Sequence, residues 1–275
     1  VVGEGTFTAS GTPGFYQRRW PAGAPRANVI IVHGYREHCA RYDHVAETLN
    51  ARGFSVFSYD QRGHGRSPGK KSYIERFDLF LSDLEDYRKE ITPDLGSLPV
   101  FVLAHSMGGL VFTRYLQTHS FRPRAVVFSS PLLQLPPTSP VLLAVAGVLS
   151  KVTPWLPVAS LEGAAISRVQ AEVQTYEADP LNGHGAIVAR SGAELTNAVT
   201  AARENISKIS LPFLVMHGTA DRLAPVGGSE FLHANAASTD KSIKIYEGGY
   251  HELMNDTIRE EVKTMVADWL ESRLA

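Results

Sequence analysis

Several kinds of protein are excluded by what the sequence lacks. Its 275 residues hold one cysteine, Cys39, so no disulfide can close within the chain and no cysteine-built zinc site can form. Lys and Arg number 27 against 28 Asp and Glu, a formal net charge of −1, and the electrostatic footprint of a nucleic-acid binder is missing. The ten histidines include no pair at His-x3-His spacing, so no metal is expected. The longest apolar run, Val141 to Leu149, has nine residues. A membrane-spanning helix needs roughly 20. The opening Val-Val-Gly-Glu-Gly-Thr has neither the basic start nor the apolar block of a signal peptide. The expected location is therefore the cytoplasm or the periphery of a membrane. With 44% hydrophobic residues in 30.0 kDa, the chain can build a substantial core, and a disordered or collagen-like protein is ruled out.

What is present is an alternation. Apolar blocks rich in β-branched residues recur at Ala27–Val32, Ser55–Tyr59, Val100–Ala104, Ala125–Ser129, Pro212–His217 and Ser242–Tyr246. Their length and turn-rich flanks predict strands buried on both faces. Between them Phe77, Phe80, Leu81, Leu84 and Ile91, and later Ile258, Val262, Met265, Val266, Trp269 and Leu270, recur at helical spacing. The fold class is thus α/β, a mostly parallel sheet with helices on both faces. Thr6–Thr8 and Phe15–Trp20 read as an antiparallel hairpin ahead of it. About 75 residues separate the strand ending near Ser129 from the one starting at Pro212, where a crossover needs about 12–30. The surplus predicts an inserted helical cap, residues 131–205, in a core made of 1–130 and 206–275.

The chemistry is concentrated at three strand ends. Ala104-His105-Ser106-Met107-Gly108-Gly109 lies between the strand Val100–Ala104 and the helical run Leu110–Leu116. A serine on so sharp a strand-to-helix turn needs small residues two before and two after it, and Ala104 and Gly108 supply them. Its hydroxyl would project at a helix N-terminus, where free N–H groups favour developing negative charge. Asp221, in His-Gly-Thr-Ala-Asp-Arg, and His251, in Glu-Gly-Gly-Tyr-His, follow strands on the same sheet edge, in the chain order Ser, Asp, His. A serine needs a base and the base an orienting acid. The bland alternative makes Asp221 a helix cap and His251 a loop histidine. After the strand Ala27–Val32, Gly34 permits a tight turn, so the Tyr35 N–H can join the Met107 N–H in holding an oxyanion.

His33-Gly34, Glu37-His38, Arg41-Tyr42, Arg62-Gly63-His64-Gly65-Arg66-Ser67, the Ser106 motif, Tyr176 with Asp179-Pro180-Leu181, Gly218 to Arg222 and Tyr246 to His251 form a set. This set, spread over nearly the whole chain, resembles the monoacylglycerol lipases and lysophospholipase-like serine hydrolases. The resemblance implies a capped α/β-hydrolase that cleaves one acyl ester of a glycerol lipid without a cofactor. It implies Ser106, Asp221 and His251 as the catalytic triad and Tyr35 and Met107 as oxyanion donors. Glu37, Arg41, His105 and Tyr176 would lie near the glycerol end. A lysophospholipase or a broad carboxylesterase on the same triad, and a non-catalytic ligand-binding protein of this fold, are the alternatives. Tyr35 and Arg36 depart from the small residue and glycine of many relatives, so a different head-group pocket is expected. The pocket cysteines of the mammalian enzymes have no counterpart here.

Other features carry less. Val141 to Leu149 is apolar all round if helical, which suits either the lining of an acyl tunnel with peripheral membrane contact or a helix packed on the core. His38 to Asp43 matches a His-x4-Asp acyltransferase pattern by coincidence of spacing, and Cys39 has no histidine–acid pair assigned to it. The two glycines of Arg62–Ser67 read as a tight turn. The partner implied is a small lipid ester. No sequence feature bears on oligomeric state.

Overall fold

The computed structural model describes residues 2–136, 147–160 and 162–274. Its centre is an eight-stranded sheet of order β1-β2-β4-β3-β5-β6-β9-β10. Strands β3 (Ala27–Val32), β4 (Phe54–Tyr59), β5 (Val100–His105), β6 (Ala125–Ser129), β9 (Phe213–Gly218) and β10 (Lys241–Tyr246) run parallel. The hairpin β1 (Gly3–Ala9) and β2 (Thr12–Trp20) joins β4 antiparallel and is longer than its apolar pattern predicts. The fold is that of the α/β-hydrolases.

Alternate side chains of each inner strand feed two cores. Val102, Ala104, Val126, Phe128 and Val215 pack with α2 (Asp78–Leu95), α3 (Met107–Thr118), α5 (Ala189–Glu204) and α6 (Gly227–Asn235). Phe101, Leu103, Val127, Leu214 and Met216 pack on the other face with α1 (Asp43–Ala51) and α7 (Arg259–Glu271). The continuous apolar runs of the strands follow from this double burial. β10 departs from expectation: as the last strand of the sheet it has no buried residue before Tyr246, and Lys244 is exposed, so it is not covered on both faces.

Between β6 and β9 the chain forms the short antiparallel pair β7 (Pro157–Ser160) and β8 (Ala186–Val188), then α4 (Gln170–Ala178) ahead of β8 and α5 after it. The sequence pattern did not reveal the β7–β8 pair, which is short and lies among prolines. Leu195, Ala198, Val199 and Ala202 of α5 belong to the main core. Val148, Val152, Trp155, Leu156 and Val158 face solvent. Of the apolar run Val141 to Leu149, residues 141–146 lie outside the described residues, and 147–152 are helical. Among the described residues, no helix is long and apolar enough to cross a membrane.

Candidate active site

Ser106 stands between β5 and α3 at φ 52°, ψ −119°, a conformation L-residues rarely adopt. Such strain costs about 1–3 kcal/mol and persists only where the surroundings enforce it. Here the Ser106 N–H donates to Ser129 O (3.0 Å), and its carbonyl accepts from Leu110 and Leu132 N–H (3.2 and 3.0 Å). Gly108 allows α3 to come up against β3: a Cβ there would lie 2.1 Å from the Val32 carbonyl oxygen.

Three strand ends converge on this turn. The Ser106 hydroxyl donates to His251 Nε2 (2.8 Å), and His251 Nδ1 donates to Asp221 Oδ2 (2.7 Å). Asp221 Oδ1 accepts the Leu223 and Ala224 N–H groups (2.8 and 3.0 Å) and so braces its own turn; it does not cap α6, which begins at Gly227 without a side-chain cap. Ser130 Oγ donates to the His251 carbonyl (2.8 Å) and fixes that loop. Burial would raise the Asp221 pKa, but His251 and His217 outweigh it and hold the carboxyl far below its usual range. Burial pulls His251 down, and the attraction and hydrogen bond of Asp221 then lift it above the usual imidazole value. The imidazole is thus able to hold a proton more readily than a free histidine.

The loop of Gly34 and Tyr35 lies against the same serine. A Cβ on Gly34 would sit 3.1 Å from Ser106 Cβ and 2.8 Å from Glu37 Oε1, so only glycine fits. Gly34 O accepts from His33 Nδ1 (2.8 Å), and His33 Nε2 accepts the Gln61 N–H (2.9 Å). Met107 opens α3, and neither its N–H nor that of Tyr35 is hydrogen-bonded among the described residues. The Tyr35 hydroxyl donates to Ser72 O (2.5 Å) and its ring packs on His64.

Glu37, Arg41, His105 and Tyr176 are brought together beside the serine. The Arg41 guanidinium lies 5.0 Å from the centre of the Tyr176 ring and donates to Glu37 Oε2 (3.1 Å). His105 packs on His251, ring centres 4.8 Å apart, with Nδ1 donating to Ser129 O. Burial, then repulsion from His251, brings its pKa down to about 4, so it is neutral. Glu37, Arg41, His105 and Glu252 border a cavity of about 10 Å³, room for about one water. A larger cavity, about 510 Å³ and lined by Val148, Val152, Arg190 and Glu194 among others, includes none of these residues.

Two residues of this neighbourhood escaped sequence reasoning. His217 Nε2 donates to Asp221 Oδ2 (3.0 Å) and Ala224 O (2.9 Å), and its Nδ1 accepts from Ser229 Oγ (2.7 Å). These partners assign its tautomer. Glu252 pairs with Arg41 on both oxygens. Their only sequence signal is proximity, one at the end of a strand and one beside His251. Of the discounted features, Cys39 is buried, and burial pushes its thiol well above its usual pKa. Asp60 accepts the Arg66 N–H (2.8 Å) and so closes the turn of Arg62–Ser67. Among the described residues, no group of three or more His, Cys, Asp or Glu could hold a metal ion.

Comparison with known proteins places this geometry in context. Residues 23–258 match the family model described as serine aminopeptidase, S33. The chain is 38% identical over 251 residues to a monoacylglycerol lipase of Mycolicibacterium smegmatis, covering 91% of this chain and 90% of that protein. It is 35% identical over 266 residues to the monoglyceride lipase of Homo sapiens, covering 94% and 87%. The crystal structure of Paleococcus ferrophilus monoacylglycerol lipase superposes with a TM-score of 0.83 at 33% identity, over 94% of this chain and 99% of that one.

Proposed function

The chain belongs to the serine aminopeptidase S33 family, where it stands with the monoacylglycerol lipases, and from that premise we propose that it hydrolyses monoacylglycerol to fatty acid and glycerol through an acyl-enzyme on Ser106. It is a carboxylic ester hydrolase. The observation that carries the mechanism is the unbroken chain Ser106 Oγ to His251 to Asp221, at 2.8 and 2.7 Å.

In this reading His251 Nε2 takes the Ser106 proton as Oγ bonds to the ester carbonyl carbon. Asp221 holds the Nδ1–H tautomer and stabilises the imidazolium. The free N–H groups of Tyr35 and Met107 bind the oxyanion, a contribution of about 2.7–4 kcal/mol per donor. His251 returns the proton to the departing glycerol oxygen, then takes one from the water that cleaves the acyl-enzyme. No step calls for a cofactor. The polar wall of Glu37, Arg41, His105 and Tyr176 would receive the glycerol end. Residues 131–205 would serve as a cap on a core of 1–130 and 206–275, with peripheral contact to lipid supported by the exposed Val148, Val152, Trp155, Leu156 and Val158.

Replacing Ser106 by Ala should abolish both turnover of monoacylglycerol and labelling by a fluorophosphonate probe. Persistent labelling would refute the assignment of the nucleophile. Faster cleavage of lysophosphatidylcholine or of short p-nitrophenyl esters than of monoacylglycerol would overturn the substrate.

A further inference from the structure

Glu252 follows His251 in the chain and engages a different partner. Arg41 Nη1 donates to its Oε1 (2.7 Å) and Nη2 to its Oε2 (2.8 Å), while Nη1 also reaches Glu37 Oε2 (3.1 Å). Asn255 Nδ2 donates to Glu252 Oε2 (2.8 Å), and Glu37 Oε1 accepts the Gly34 N–H (2.5 Å) and the Tyr42 hydroxyl (2.9 Å). The side chains of Glu37, Arg41 and Glu252 are 4%, 10% and 7% exposed. Both carboxylates are ionised. Burial opposes this, but Arg41 brings Glu252 down to about 2, and Glu37 also stays below its usual range, with Arg41 as its permanent counter-charge.

Two carboxylates thus face one guanidinium, and His105 beside them is neutral. One negative charge is left unbalanced. Among the described residues Arg36 forms no ion pair with either carboxylate: its Nη1 donates to Gly185 O (2.9 Å) and its guanidinium lies 5.1 Å from the centre of the Tyr35 ring. Asp179, which takes His38 Nε2 (2.8 Å) on the adjoining cap turn, adds a negative charge of its own. Three of the five Arg41 N–H groups are spent on carboxylates and its face is covered by Tyr176. Of about four lone-pair sites on each carboxylate, the contacts above leave one on Glu37 and one on Glu252. Hydroxyl groups can donate to these. A phosphate or carboxylate has no proton to offer at neutral pH, and it would meet like charge where water is scarce.

We infer that Glu252 sets the leaving-group specificity of this site. By occupying Arg41 it leaves the wall beside Ser106 negatively charged, so esters with an uncharged, hydroxyl-bearing leaving group are accepted and those with an anionic one are rejected. The inference rests on the reading that Ser106 attacks an ester whose alcohol side lies against Glu37 and Arg41.

The test compares kcat/KM for two pairs of esters with one acyl chain: monoacylglycerol against its 3-phosphate, and the ester of 4-hydroxybenzamide against that of 4-hydroxybenzoate. The wild-type enzyme should prefer the neutral member of each pair by about 100-fold, and Glu252→Gln should narrow the preference at least about tenfold by raising turnover of the anionic ester. Glu252→Asp, which keeps the charge, should retain it. A wild-type ratio near one overturns the inference without any variant. So does a Glu252→Gln enzyme that loses both activities in parallel, which would mark a merely structural role. Charge selection on the aryl esters without hydrolysis of monoacylglycerol would leave the inference standing and remove the proposed lipid substrate.

Discussion

Two buried carboxylate assemblies flank His251, and they differ in the permanence of the cation each one faces. Asp221, with no side-chain exposure, faces His251 and His217. Its full counter-charge arises only when His251 has taken the serine proton. Glu252 and Glu37 face Arg41, which is charged at every working pH because the two carboxylates hold its pKa above the usual value despite burial. On the proposed mechanism, the first arrangement keeps its attraction for the transition state, where it would lower a barrier. The second satisfies its attraction at rest, joining two loops through Arg41, and on the inference above it would leave a fixed field beside Ser106.

The largest effect that would break this comparison lies on the Asp221 side. Asp221→Asn should lower kcat by about 10⁴-fold through loss of the correct His251 tautomer, with the thermal midpoint nearly unchanged. A loss below about 100-fold, measured by steady-state turnover, would mean that Asp221 does not orient the base. On the other side the balance reverses. Arg41→Ala leaves two ionised carboxylates facing each other in the interior and should destabilise the fold by about 3–5 kcal/mol in urea unfolding. A loss under about 1 kcal/mol would show that the pair is solvated and structurally idle.

His217→Gln sharpens the contrast at smaller cost. It disturbs one donor to the Asp221 carboxylate, and a hydrogen bond to a charged group is worth about 1.5–3 kcal/mol, so kcat should fall about 10–100-fold. Unchanged turnover would confine His217 to packing. The pH profile separates the assemblies by sign. His251 must be neutral to accept the serine proton, and its pKa lies above the ordinary 6.5 because Asp221, then Glu252 and Glu37, outweigh burial. Activity should therefore fall as pH drops through a value above 6.5. In Glu252→Gln, which removes one of those negative charges, the limb should move down by about half a unit. Movement upward would contradict the charge assignment. Smallest of all, Val152→Ser, at a side chain open to solvent, should leave stability within about 0.5 kcal/mol.

Legibility in the sequence followed the range of the physics involved. Ser106 could be read because a strained turn has a local requirement, small neighbours at Ala104 and Gly108, that shows in six consecutive residues. The meeting of Ser106, Asp221 and His251 could be read because parallel strands deliver their carboxyl ends to one edge of a sheet. Glu252 could not be paired with Arg41 in this way, since 211 positions separate them and the pairing depends on how two loops settle against each other. His217 looked like an ordinary strand residue. α5 fell within the span read as an inserted cap, yet Leu195, Ala198, Val199 and Ala202 enter the main core. Helical spacing shows that a face is buried, not what buries it. The incomplete cover of β10 likewise reflects its place at the sheet edge, which an apolar block does not encode.

By itself, then, the sequence determined the alternation of strands and helices, the parallel sheet and the turn that presents the serine. These depend on periodicity and on sterics between near neighbours. Which carboxylate meets a histidine and which an arginine was settled by packing alone. Electrostatic energy depends on distance and on exclusion of water, and both come into being when remote segments pack together.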